Sequence, residues 1–135
     1  MAGMQTKTIT PREAAQWLSS GEAILIDVRE PREFRAERIA GATSMPLASV
    51  PGAFKQMQIP AGRKVIFQCL RGGRSAQACR VAAQAAAPHP VYNLTGGIAA
   101  WKAAGLPVTG DAPAAPTTSI LQRLRLALMP RNRVP

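Results

Sequence analysis

Cys69-Leu70-Arg71-Gly72-Gly73-Arg74-Ser75 is the stretch of this sequence whose residue types and spacing could do chemistry. Cys69 closes the apolar run Lys64-Val65-Ile66-Phe67-Gln68, which reads as a buried strand. The two glycines let the backbone turn sharply, so that successive N–H groups can converge as an anion nest. A helix is expected at or just after Arg74, with its positive end at the same place. Arg74 adds a full charge and Arg71 can add another. An unperturbed thiol has a pKa of about 8.5, and helix N-termini and nearby arginines lower it by roughly one to several units. The stretch therefore describes a low-pKa nucleophilic cysteine facing an anionic substrate, with no histidine base required. A structural cysteine beside a glycine turn is the plainer alternative. Two glycines, Arg74 and a helix start together argue against it.

Other candidates carry weaker signals. Asp27, near the end of a second apolar run, can accept loop N–H groups or pair with a nearby arginine, and a structural role is favoured over a catalytic one. Arg29 and Glu33 can pair across a turn. Cys79 lies ten residues beyond Cys69 and reads as a small core residue rather than a resolving thiol. Trp101 reads as core, and His89, between two prolines, is given no role. Two cysteines and one histidine exclude a four-ligand structural zinc site, and no metal or cofactor is expected.

These residues need elements to hold them. Thr10-Pro11 with Glu13 predicts a capped helix start, running to about Ser20 and ending at Gly21. Ala23-Ile24-Leu25-Ile26-Asp27-Val28 predicts a strand buried on both faces. A short charged helix follows from Pro31 to about Glu37, then a short strand over Ala42–Met45 and a helix over Val50–Met57. After the Lys64–Cys69 strand, an Ala-rich helix is expected from Ser75 to about Ala87, a strand over Val91–Leu94 and a helix over Gly97–Ala104. This alternation predicts an α/β domain with a mainly parallel sheet. It spans residues 5–110, with a linker over 111–119 and a basic amphipathic tail over 120–135.

At 135 residues the chain has room for one domain and a tail. With 47% hydrophobic and 18% charged residues it is globular rather than disordered, and at 4% aromatic its core must be mostly aliphatic. The formal charge is +10, of which Arg123, Arg125, Arg131 and Arg133, in a segment without acids, carry +4. Such an excess suits anionic partners. Nucleic acid is not expected, because the basic residues have no interleaved aromatics or recognition motif. No run of 18 apolar residues is present to span a bilayer, and no secretion signal is recognisable, so a cytoplasmic location is expected. In the tail, Ile120, Leu121, Leu124 and Leu128 share a side, flanked by Arg123 and Arg125. That pattern suits contact with an anionic membrane surface, peripheral at the inner face.

The Cys69–Ser75 stretch resembles the active-site loop of rhodanese-like sulfurtransferases, in which four residues separate a cysteine from an arginine that Ser or Thr usually follows. Asp27-Val28-Arg29-Glu30 with Glu33-Phe34 is similar to that family's first signature, and Gly41-Ala42 with Pro46 to the segment after it. Leu94, Gly96-Gly97, Ala100-Trp101 and Gly105-Leu106-Pro107-Val108 resemble its closing signature. The resemblance covers about Thr8 to Thr109. It implies a mostly parallel five-stranded sheet with helices on both faces. It also implies a persulfide on Cys69, loaded from a small anionic sulfur donor such as thiosulfate and passed to a thiol or cyanide acceptor. Leu70, Arg71, Gly72, Gly73, Arg74 and Ser75 would bind the substrate, with Asp27 and Arg29 supporting them. A non-enzymatic persulfide carrier, thiol sensor or docking module is the alternative. Cysteine phosphatases and arsenate reductases, whose loop is one residue longer, fit less well. The chain departs from the family pattern in Arg38-Ile39-Ala40-Gly41-Ala42, where members often carry His-Ile-Pro-Gly-Ala, and in Leu70, where a basic residue is common.

Overall fold

A computed structural model describes residues 6–111. Five strands form one sheet: β1 Lys7–Ile9, β2 Ala23–Asp27, β3 Thr43–Ser44, β4 Lys64–Gln68 and β5 Val91–Leu94. Their order is β1-β5-β4-β2-β3, and every neighbouring pair is parallel. The helices are α1 Pro11–Ser20, α2 Pro31–Ala36, α3 Val50–Gln56, α4 Gly73–Ala86 and α5 Gly97–Ala103. Helices fill the gaps between parallel strands, as crossover connections require.

Local sequence sets the boundaries. Thr10 Oγ1 accepts the Glu13 N–H at 3.2 Å and Glu13 Oε1 accepts the Thr10 N–H at 3.2 Å, closing the expected capping box. The helix that follows stops at Gly21 in the left-handed region, φ 81°. Strands β2 and β4 are buried on both faces. Ile26, Val65 and Phe67 join α3 and α4 in one core, while Leu25 and Ile66 face α1 and α5 in the other. Aliphatic side chains dominate both layers, with Phe54, Phe67 and Trp101 as the buried aromatics.

Three features depart from the sequence expectation. Strand β1 was not expected from its local pattern, because only one of its three residues, Ile9, is buried. Its place is fixed by pairing to β5 at the sheet edge. Helix α4 begins at Gly73, because Gly72, at φ 114°, completes the turn one residue earlier than Arg74. Asp111, placed in the linker by composition, is tied back to the domain: its N–H donates to Arg35 O at 2.7 Å and its carboxylate pairs with Arg38 at 2.8 Å. The rest of the expected linker and the amphipathic tail lie outside the described residues. Among the described residues, no helix is long and apolar enough to cross a membrane.

Candidate active site

The loop 69–72 follows the carboxyl end of β4, the central strand, where an open α/β sheet collects its ligands. Two anchors hold it. On one side the N-terminus of α5 captures the loop's first carbonyls: Ile98 N–H donates to Cys69 O at 2.9 Å and Ala99 N–H to Leu70 O at 3.1 Å. This docking requires Gly97, at φ 63°, because a Cβ there would collide with both carbonyl oxygens. On the other side, Asn93 Nδ2 donates to Gly72 O at 3.1 Å.

The result is a curled loop whose donors converge on Cys69 Sγ. Gly72 N–H donates to it at 3.0 Å, and Ser75 Oγ lies 3.3 Å away. Burial pushes the thiol pKa up, but the Ser75 hydroxyl and the backbone N–H groups of Ser75, Gly72 and Arg71 outweigh it, so the thiol ionises below its ordinary value. Hydrogen bonds to an ion contribute about 1.5–3 kcal/mol each, which is why a few converging donors can overcome burial. Cys79, deeper in α4, has no such donors among the described residues. Burial pushes its thiol up to about 12, and the charge of Arg80 offsets little of this.

The charged residues are arranged differently from the sequence expectation. Arg29 does not pair with Glu33. Its Nε and Nη2 grip the Asp27 carboxylate at 3.0 and 2.8 Å, with both side chains buried, and Nη2 also donates to Glu37 O at 2.6 Å. Asp27 accepts the Arg29 N–H as well, at 3.0 Å. The pair thus ties the end of β2 to the end of α2. Glu33 instead pairs with Arg74, at 2.9 and 3.3 Å. The cause is the turn that opens α2, where Glu33 Oε1 accepts the Glu30 N–H at 2.9 Å and so stands at the helix start facing the loop. The Arg74 bond holds the Glu33 carboxyl below its usual range. Arg74 was expected to lower the thiol pKa directly. Its guanidinium bonds Glu33 and reaches Cys69 only through its charge, which leaves the larger share to Ser75 and the loop amides. Arg71 is exposed and makes no ion pair among the described residues, and Leu70 is also exposed.

Two residues of this site were missed. Asn93, on β5, bonds both the loop and Ser75, accepting the Ser75 hydroxyl at 2.6 Å. Gln68 is fully buried and donates to Cys69 O at 3.1 Å. The signal to be found was a polar residue inside an otherwise apolar strand, next to a strand end that carries chemistry. Among the described residues no cluster of His, Cys, Asp or Glu could hold a metal ion.

The family model for the rhodanese-like domain matches residues 10–104. The chain belongs to the rhodanese-like family. It is 39% identical over 95 residues to a probable adenylyltransferase/sulfurtransferase MoeZ of Mycobacterium tuberculosis, covering 70% of this chain and 24% of that protein. It is 37% identical over 87 residues to a sulfurtransferase of Allochromatium vinosum, covering 64% of this chain and 78% of that one. The crystal structure of a thiosulfate sulfurtransferase from Pseudomonas aeruginosa superposes with a TM-score of 0.71 at 27% identity, over 82% of this chain and 21% of that one. This chain therefore spans about a quarter of the mycobacterial relative's length. The rhodanese fold expected from the loop and its flanking signatures is borne out, and these likenesses support a sulfurtransferase-like role.

Proposed function

We propose that the protein moves a sulfane sulfur from a small anionic donor such as thiosulfate to a thiol or cyanide acceptor, through a persulfide on Cys69. The observation that carries this is the convergence of Gly72 N–H and the Ser75 hydroxyl on the sulfur of a strand-end cysteine, with Arg74 adjacent in the chain to Ser75.

The thiolate of Cys69 attacks the outer sulfur of thiosulfate. The new S–S bond forms as the bond to the sulfonate sulfur breaks, and sulfite leaves with that electron pair. Cyanide or a thiolate then attacks the terminal sulfur, and the Cys69 thiolate departs. No proton need be removed from carbon and no electrons are exchanged with a cofactor, so a lowered thiol pKa suffices without a histidine base. Charge stays within the cradle throughout: on the thiolate, on the donor and on the terminal sulfur of the persulfide. Leu70 to Ser75 supply the N–H groups that oppose it. Arg74 reaches the donor's sulfonate by sharing its guanidinium with Glu33, and Arg71 guards the rim. Asp27 and Arg29 keep the neighbouring strand end rigid. Four residues between Cys69 and Arg74 favour sulfur over a phosphoryl group, whose known loops are one residue longer.

Thiosulfate:cyanide transfer tests the reading. Cys69→Ser should abolish turnover and Cys79→Ser should retain most of it. A dead Cys79 variant with a live Cys69 variant would reverse the assignment. A protein that loads sulfur but does not turn over would be a persulfide carrier, sensor or docking module instead.

A further inference from the structure

Ser75 is fully buried and its hydroxyl has one proton, but two acceptors compete for it. Asn93 Oδ1 lies at 2.6 Å and Cys69 Sγ at 3.3 Å. The amide of Asn93 cannot turn over to relieve the competition. Its Nδ2 donates to Gly72 O, and the reverse orientation would set two oxygens against each other. Gly72 O also accepts the Ala76 N–H at 3.0 Å, so the loop carbonyl is itself fixed by α4. Asn93 Oδ1 therefore always faces Ser75 as an acceptor.

We propose that Asn93 is a positioning residue that sets where the Ser75 proton points: to Asn93 Oδ1 while Cys69 carries its own proton, and to Sγ when Cys69 is an anion. In the first state Cys69 S–H donates to Ser75 Oγ and Ser75 donates to Asn93, a complete chain. In the second the hydroxyl rotates about its Cβ–Oγ bond, the thiolate gains a donor and Asn93 Oδ1 loses its short partner. Only a torsion changes, so no bond is made or broken and no co-reactant is needed. When Cys69 carries a persulfide, the negative charge sits on the terminal sulfur, and the hydroxyl returns to Asn93. Asn93 thereby opposes the free thiolate and favours the protonated and loaded states. For this consequence in turnover the inference rests on the sulfur-transfer reading; the competition for the proton does not.

A double-mutant cycle isolates the effect. The pH dependence of iodoacetamide labelling at Cys69, read by peptide mass, is measured in the parent, Asn93→Leu, Ser75→Ala and the double variant. Leu matches the size of Asn without an acceptor, and Asn93→Ala serves if Leu disturbs folding. Both replacements also lose the bond to Gly72 O, but that loss is common to the two backgrounds and cancels. The charges around Cys69 are Arg74 on α4 with Glu33 on α2 behind it, the Asp27–Arg29 pair at the end of β2, and Arg71 in the loop. None is altered, so they cancel too. With Ser75 present, removing the Asn93 acceptor should shift the labelling midpoint down, relative to the same change in the Ser75→Ala background, by up to about one pH unit, the size expected for the neutral Ser75–Asn93 hydrogen bond that only the protonated state keeps. Equal shifts in both backgrounds, or a relative shift upward, would overturn the proposal and leave Asn93 as a support for the loop alone. If Cys69→Ser still transferred sulfur, the functional reading would fall, while the labelling cycle would continue to show where the Ser75 proton points.

Discussion

Cys69 and Cys79 stand ten residues apart, both buried and both in the same core layer, against Phe67 and the inner face of α4. Burial acts on both thiols in the same direction, towards the protonated form. Cys69 nevertheless ionises below its ordinary value while Cys79 is pushed up to about 12. The difference is the backbone around them. Cys79 sits mid-helix, where every nearby N–H is committed to an i−4 carbonyl. Cys69 lies just before a helix, where the first N–H groups have no intrahelical partner and the loop can aim them at sulfur. The Cys69 thiol is thus made more acidic by uncommitted donors rather than by exposure.

The sharpest way to break that contrast is to dislodge the donors without touching either sulfur. Gly97→Ala places a methyl group against the carbonyls of Cys69 and Leu70, so the loop must move. A misplacement of about 1 Å costs roughly hundredfold in rate. Sulfur transfer by Gly97→Ala should fall by at least about that factor, with the far-ultraviolet dichroism of the folded domain retained. Activity within a few-fold of the parent would show that the cradle does not depend on its dock to α5.

A second comparison uses stability, where the two thiols should act with opposite sign. The raised pKa of Cys79 means its contribution is fully present below the unfolded value, near 9.0, and is lost as pH rises towards 12. The lowered pKa of Cys69 means its contribution is present above the unfolded value and lost as pH falls through the folded one. In urea unfolding, the cost of Cys79→Ala should therefore shrink as pH rises beyond 9.0, by up to about 1.4 kcal/mol per pH unit. The cost of Cys69→Ala should instead grow as pH rises through the lowered folded value and level off near the unfolded one. Parallel curves for the two variants would contradict the contrast.

The smallest effect concerns Arg74. Its bond to Glu33 is partly exposed, a class of ion pair worth at most about 1 kcal/mol. Glu33→Gln should release the guanidinium towards an anionic donor and lower the thiosulfate KM by no more than about fivefold, with kcat little changed. A raised KM would mean that Glu33 holds Arg74 in its useful position.

Most of the fold was legible because its signals are local. The capping box at Thr10 and Glu13, the glycine stop at Gly21 and the doubly buried runs at β2 and β4 each state their structure within a few residues. Strand β1 was not legible, since one buried side chain in three residues sets no pattern and its partner β5 lies far along the chain. At the site, Cys69 to Ser75 could be read directly because loop, glycines and helix start are contiguous. Asp27 was read as able to pair with a nearby arginine, and Arg29 stands two residues away, but the Glu33–Arg74 pair could not be read, because it joins the starts of two helices 41 residues apart. Asn93 was hidden for the same reason: it is 18 residues from the hydroxyl it binds.

If uncommitted donors are what make a buried cysteine reactive, only Cys69 can carry sulfur. Intact-protein mass after incubation with thiosulfate and removal of the excess tests this most directly. The parent and Cys79→Ser should each gain the mass of one sulfur atom, lost again on adding cyanide, and Cys69→Ser should gain none. A sulfur adduct on Cys69→Ser, or its absence from Cys79→Ser alone, would contradict the claim.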